Sequence, residues 1–501
     1  MPDDSETRSA FRVTLGIVLA VTLARCVVLA LSPLDLHPDE AQYWWWARTP
    51  GFGYFSKPPM IAWIIWLSTA LLGNSEWAIR IASPVLHGAT SLVVFAIARR
   101  VTDARQSALS ALAYITIPGL SYSCGLISTD VPLLFFWAVA LYAFLRGCDD
   151  ARRRWPIVCG VALGLGLESK YAMLYFLASA IAATFFAGKA HRFVFGPRGL
   201  VVLAIGLGLL APNIAWNAMH AFPTLAHTRA NADWVHARYS FRQAAEFALG
   251  QFGVFGPVLM AGLIGALCRM ARAPARGEDE TSLASFGLTP LLLILIQSFV
   301  ARANANWAAT GLIAATPLAV GELVRWWRAR ALWASFALNV SAMVALWIVL
   351  LSPGAADTMG IGNAFKREQG WRELGRQVAR AASASAYNAI VADNRSIIAE
   401  LLYYTRPRAT PIRMWARDLR IRDHFEMTLR LNSPASRILL AIEPQAAGRV
   451  LATFDSAKLL ARLEFPIGGH HSRVIDLYDA RDYRDPPPVH VRMPVSPAPV
   501  L

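Results

Sequence analysis

Charge is scarce in this sequence. Only 16% of its 501 residues are Asp, Glu, Lys or Arg, while 55% are apolar. A soluble chain carries roughly 25% charged residues, so an ordinary water-soluble protein is excluded. Cysteine is scarce as well. The five residues Cys26, Cys124, Cys148, Cys159 and Cys268 fall in or beside apolar blocks, and none follows Cys268. That usage offers neither a disulfide framework nor a CxxC ligand pair for a metal. P-loop, G-x-G-x-x-G and G-x-S-x-G patterns are absent in any fitting context, which argues against a reaction driven by a nucleotide. The first twelve residues are polar and of mixed charge, with no cleavage site after the first apolar run, so they do not read as a signal peptide.

Apolar runs are what the sequence has. They recur in blocks of about 17–22 residues, the length needed to cross a hydrocarbon core of about 30 Å. The formal net charge of +15 has a matching explanation. Arg99–Arg105, Arg146–Arg154, Lys189–Arg198, Arg269–Arg276 and Arg325–Arg330 hold much of the positive charge, each between apolar blocks. Basic loops on one side fix the orientation of a membrane protein. The expected partner is therefore a lipid bilayer and not a nucleic acid.

Loop charge also predicts the topology. A first span at about 12–31 enters from the cytoplasm. The run Met60–Gly73 is short and holds Trp63 and Trp66. Counting it as a span would deliver Arg99, Arg100 and Arg105 to the outside, so it is expected to be interfacial or re-entrant. Further spans then fall at about 80–98, 107–123, 130–146, 156–172, 173–188, 199–217, 247–268, 283–301, 307–323 and 332–351, about eleven in all. The outer loops collect Asp35, Asp39, Glu40, Glu76, Asp130, Asp233, Asn304 and Asn306.

Beyond Pro353 no run is long enough to span, and charge rises to soluble levels. Ala389–Ala392, Ile438–Ile442 and Arg473–Tyr478 read as strands, with Ser396–Tyr404 and Gln445–Leu460 as helices. The expectation is an all-α polytopic bundle over residues 1–352, followed over 353–501 by a small α/β domain outside the membrane with a Pro-rich tail.

The first outer loop carries chemistry. It reads His37-Pro38-Asp39-Glu40-Ala41-Gln42-Tyr43-Trp44-Trp45-Trp46, then Gly53-Tyr54-Phe55-Ser56-Lys57-Pro58-Pro59. A carboxylate here can draw a proton from an acceptor, and a Lys at headgroup depth can hold a phosphate as it leaves. Interfacial aromatics suit both the lipid boundary and a sugar face. The acids can equally cap a helix that starts at Ala41. On residue types alone both readings stand, although a cap requires neither Lys57 nor its rigid Lys-Pro-Pro setting.

This order of elements resembles the first periplasmic loop of GT-C glycosyltransferases of the family 39 and 83 type. That group includes protein O-mannosyltransferases and lipid A aminoarabinose transferases. The resemblance runs over about residues 10–350, with Asp39-Glu40 and Gly53–Pro59 its most specific parts. It implies an inverting transfer from a polyprenyl-phosphate-linked sugar to lipopolysaccharide, another glycolipid or a protein on the periplasmic face of a bacterial inner membrane. It also implies Asp39 as catalytic base with Glu40 beside it, and Lys57 with Tyr54 at the lipid phosphate. Gln42 and Ser56 stand where the aminoarabinose transferases have Arg and Glu, so the wider family is implied rather than that enzyme. No cofactor is called for; a divalent metal is left open, with no residue set indicating one.

Other polar residues at span edges are candidates, because ionisable groups there are costly unless paired or functional. Asp130 opens a span on the side of Asp39, as a helix cap or as a cavity residue. Glu168 and Lys170 can pair with each other or snorkel, and the resemblance makes Lys170 a phosphate contact. Arg80 opens the second span from outside, facing the phosphate or anchoring in headgroups. The segment His220–Arg242 brings His220, His227, Asp233, Trp234, His236 and Arg238 without compact metal spacing, and is expected to cover the lipid phosphate or acceptor. Asn304–Trp307 can line the cavity or form an interfacial turn. The reading from another class is a transporter or lipid flippase, which leaves the acidic loop and the outer domain without a task.

Overall fold

The computed structural model describes residues 4–485 apart from 151, 235, 236, 238, 273–276, 408 and 470. His236, Arg238 and the Pro-rich tail lie outside the described residues. The chain forms two compact units. One comprises Met1–Leu34 and Trp46–Ala356, the other Asp35–Trp45 and Asp357–Leu501.

The first unit is helical. Among the described residues, six helices are long and apolar enough to cross a bilayer: Ser5–Leu31, Glu76–Ala98, Asp130–Asp149, Pro197–Met219, Glu278–Val300 and Arg330–Leu351. Each coincides with an expected span. The span expected at 247–268 is not straight. It is a pair, Phe241–Phe255 and Pro257–Arg272, bent by 111°. Gly256 supplies the bend at φ 94°, and Pro257 has no N–H with which to continue the first helix. The other expected spans are shorter helices of 11 to 16 residues, Ala104–Thr116, Arg154–Ser169, Leu174–Thr184 and Gly311–Arg325. The one expected at 107–123 breaks at Ile117, before a short helix Pro118–Ser123. Pro118 is the cause, because it disfavours the helical conformation of the residue before it. Met60–Leu72 has 13 residues, which at 1.5 Å each reach only about 20 Å. Trp137, Phe144, Phe176 and Phe286 interlock in the core, Trp137 meeting Phe176 and Phe286 edge to face and Phe144 meeting Phe176 in the same way, with tilted contacts between Phe286 and both Phe144 and Phe176. Helix Arg154–Ser169 packs on both Asp130–Asp149 and Pro197–Met219, which brings the ends of all three together. All five cysteines are free.

The second unit is built on a five-stranded sheet of order β2-β1-β3-β5-β4. Its strands are β1 Ala389–Ala392, β2 Ile412–Met414, β3 Arg437–Ile442, β4 Phe454–Pro466 and β5 Ser472–Tyr483. β2, β1 and β3 run parallel, while β5 and β4 continue the sheet antiparallel. The expected helix Gln445–Leu460 is a correction. A 3-10 turn at Pro444–Ala446 and a short helix Ala447–Leu451 give way to β4 from Phe454. Ala-Lys-Leu-Leu-Ala-Arg favours a helix locally, but pairing with β5 from Phe454↔Tyr483 to Pro466↔Ser472 overrides that preference. Between β1 and its following helix, Arg395–Tyr404, lie Asp393 and Asn394. The Asn394 side chain caps that helix by accepting from Ser396 N and Ile397 N at 3.0 Å each. Arg395 thus starts a helix at the carboxyl end of parallel strands, where open α/β sheets bind ligands.

Candidate active site

Asp39 and Glu40 open the helix Pro38–Ala47, and both belong to the second unit. The residues before it are pinned to the C-terminal part of that unit. Asp35 Oδ2 accepts from Trp371 N at 2.8 Å and Arg372 N at 3.2 Å, which caps the helix Trp371–Ser383. Leu36 N donates to the Tyr404 hydroxyl at 2.8 Å. Trp44 meets Tyr403 edge to face at 5.0 Å, and the Arg406 guanidinium lies over both rings at 4.3 and 3.9 Å.

The two acids differ in surroundings. Glu40 is buried, and its Oε2 accepts from His37 N at 2.9 Å, the reach-back bond of a helix start. Asp39 is partly exposed. Its Oδ1 accepts from Arg395 Nη1 at 2.7 Å, and the same nitrogen donates to Gln42 Oε1 at 3.0 Å. Burial raises the Asp39 pKa, but the charge and hydrogen bond of Arg395, with His37 and Arg367, outweigh it and bring it down to about 2. Burial, with Arg367 and Arg395 nearby, lowers the pKa of His37, against the opposing pull of Asp39 and Glu40. That agrees with His37 Nδ1 accepting from Asp39 N at 3.1 Å. Arg395 is a candidate site residue the sequence did not reveal, because only the fold of the second unit brings position 395 to position 39. Asp393, beside Asn394 in the same connection, was not singled out by the sequence either. Burial and the neighbouring Glu443 push its carboxyl up to about 7.

The first unit holds the proposed phosphate ligands. Lys57 lies in a loop closed by Tyr54 N donating to Lys57 O at 3.3 Å. The Tyr54 ring stacks on Trp46 at 4.6 Å, and its hydroxyl accepts from Gly51 N at 3.0 Å and donates to Trp46 O at 3.1 Å. Gly53 has no room for a side chain, since a Cβ there would come within 2.4 Å of the Trp216 ring. Asn213 Nδ2 donates to Phe52 O at 2.7 Å, and Thr224 Oγ1 to Tyr54 O at 2.8 Å. The loop is thereby tied to helices Pro197–Met219 and Pro223–Ala232, the second of which lies in the His-rich segment.

Asp130 and Lys170 come together, with Lys170 Nζ 2.6 Å from Asp130 Oδ1. Asn306 Nδ2 donates to Asp130 Oδ2 at 2.9 Å, which makes a cluster of three candidates. Glu168 does not pair with Lys170, contrary to one expectation. It is 2% exposed, and neither carboxylate oxygen has a hydrogen-bond partner among the described residues. Arg80 is buried instead of lying exposed at the end of its span. It is 2% exposed and donates from Nη1 to Leu34 O at 3.3 Å. His220 stacks on Trp216 and His227 bonds Asn231. Among the described residues no three His, Cys, Asp or Glu gather in a way that could hold a metal ion.

Known proteins resemble this chain in sequence and in fold. The family model for dolichyl-phosphate-mannose-protein mannosyltransferases matches residues 56–216. The lipid A galacturonosyltransferase RgtD of Rhizobium johnstonii is 35% identical over 395 residues, which span 78% of this chain and 82% of that one. An undecaprenyl phosphate-alpha-4-amino-4-deoxy-L-arabinose arabinosyl transferase of Pseudomonas savastanoi pv. phaseolicola is 28% identical over 207 residues, 36% of this chain and 39% of that one. Among solved structures, ArnT from Cupriavidus metallidurans bound to undecaprenyl phosphate aligns with a TM-score of 0.62 at 19% identity, covering 92% of this chain and 97% of that one. The protein is a multi-pass membrane glycosyltransferase of the GT-C class. Within that class the chain belongs to the family of RgtD, which sets aside the transporter or flippase reading.

Proposed function

We propose that the chain transfers a galacturonosyl residue from a polyprenyl-phosphate carrier to lipid A at the outer face of the bacterial inner membrane. The observation that carries this reading is the 35% identity to a lipid A galacturonosyltransferase across 78% of the chain. The N-terminus is cytoplasmic and the C-terminal residues are periplasmic, which the basic loops support.

Asp39 takes the proton of an acceptor hydroxyl as its oxygen attacks C1 of the sugar. The bond from C1 to the phosphate oxygen breaks with its electrons going to the phosphate, and the configuration at C1 inverts. Lys57 and Lys170 stabilise the departing polyprenyl phosphate. Glu40 fixes the helix start that presents Asp39, Asp130 holds Lys170, and Tyr54 shapes the Lys57 loop. Arg80, buried at the entry to its span, holds the Leu34 carbonyl.

The test is mass spectrometry of lipid A from a deletion strain. It is expected to lack one hexuronosyl increment, restored by the wild-type gene and not by Asp39→Asn. An unchanged lipid A profile would refute the acceptor and sugar named here.

A further inference from the structure

The Arg395 guanidinium is committed on one side only. Nη1 donates both to Asp39 Oδ1 at 2.7 Å and to Gln42 Oε1 at 3.0 Å. Nε and Nη2 make no hydrogen bond among the described residues, and the side chain is 35% exposed. Its position is set by a capped helix at the carboxyl end of β1, so the fork is held rather than mobile. The Nε–Nη2 edge of an arginine presents two parallel donors, the geometry that a carboxylate accepts bidentately.

We propose that this open edge of Arg395 binds the carboxylate of a uronosyl donor sugar, making Arg395 the residue that determines sugar specificity. The inference rests on the galacturonosyl reading above and adds the residue that reads the acid group. One guanidinium then links two groups that must be held in register: the base Asp39 on one side and the sugar on the other. Arg367, His37, Tyr43 and Asp423 are the other charged or titratable groups that act on this pair. An anion on the open edge draws on the charge that depresses Asp39, so the base gains proton affinity when the correct donor is bound.

The experiment uses the full chain in detergent with lipid A and two polyprenyl-phosphate donors, galacturonosyl and galactosyl, which differ in the carboxylate at C6. Arg395→Gln is expected to lower kcat/KM for the galacturonosyl donor relative to the galactosyl donor by roughly 10- to 100-fold. The change should fall mainly on donor KM, with partial recovery in Arg395→Lys. In the wild-type protein, galacturonate 1-phosphate should inhibit at least about 10-fold more strongly than galactose 1-phosphate. Equal inhibition by the two phosphates would overturn the proposal, as would an unchanged donor ratio in Arg395→Gln. A loss confined to the KM of lipid A would also overturn it, placing the oxyanion on the acceptor. A wild-type protein that uses only some other sugar would sink the function proposed above, while the inhibition ratio would still report on the guanidinium.

Discussion

Arg395 Nη1 stands 2.7 Å from Asp39 Oδ1, across 356 positions of the chain. A base held by a cation in this way is ionised at any ordinary pH, yet it binds a proton weakly until the cation is engaged elsewhere. The behaviour of substituted proteins follows from that pairing and from the contacts around it.

Asp39→Asn should lower kcat by about 10²- to 10⁴-fold, the range expected for loss of a general base. The Asn side-chain oxygen can still accept from Arg395, but the charge that Arg395 stabilises is gone, so the melting temperature should fall modestly while the variant still folds. Transfer assays alongside thermal melts check both. Substantial residual turnover in a folded variant would remove Asp39 from the mechanism.

Acidification should act in two steps. The Asp39 pKa is depressed to about 2, so the stability it contributes is present above the unfolded value of about 3.9 and is lost as pH falls through about 2. His37 is lowered as well. Its neutral form is the folded one, so stability falls as pH drops below the unfolded histidine value of about 6.5. In Arg395→Gln the Asp39 pKa should rise toward the ordinary carboxylate range, shifting the acid limb of the pH–rate profile to higher pH. An acid limb that stays in place would contradict the pairing.

Asp130→Asn breaks the 2.6 Å ion pair with Lys170 while keeping a group of the same size. Donor KM should rise about tenfold, or about 1.4 kcal/mol, with the acceptor KM unchanged. Steady-state kinetics with each substrate varied in turn distinguishes this from a general loss of fold.

Asp35→Ala removes the acceptor for Trp371 N and Arg372 N and the ion pair to Arg372. Asp35 is 7% exposed, so the exposed helix start should cost about 1–3 kcal/mol. Denaturation of the full chain should show it as a lower midpoint. Asp35→Asn should recover part of the loss, since an amide oxygen can still accept.

The proposed orientation predicts that alkaline phosphatase fused after Arg484 is active in cells, whereas a fusion in the basic segment Arg99–Arg105 is inactive. The reverse pattern would invert the topology.

The membrane part was readable because its signal is coarse. Long apolar runs separated by Arg-rich loops locate helices whatever their partners, and all six long spans were visible. The bend at Gly256–Pro257 and the break before Pro118 were missed because apolar continuity says nothing about direction. In the second unit β1 was legible from its β-branched run, whereas β4 was hidden because Ala, Lys and Leu become a strand only through pairing with β5. Gly468 and Gly469, both at positive φ in the turn between them, were the signal that could have revealed that hairpin. At the site, Asp39 and Lys57 stood out as charges beside a membrane run. Arg395 carried no local mark, and its role depends on a contact that no spacing rule anticipates.

Residues 35–45 group with the unit formed by residues 357–501, and this limits how such enzymes can be recombined. A chimaera that exchanges only the C-terminal part would receive a foreign partner for Asp35, Leu36, Asp39 and Trp44 all at once. Exchanges that carry the eleven-residue segment with the C-terminal part should keep both melting temperature and turnover, because the inherited module is discontinuous in sequence.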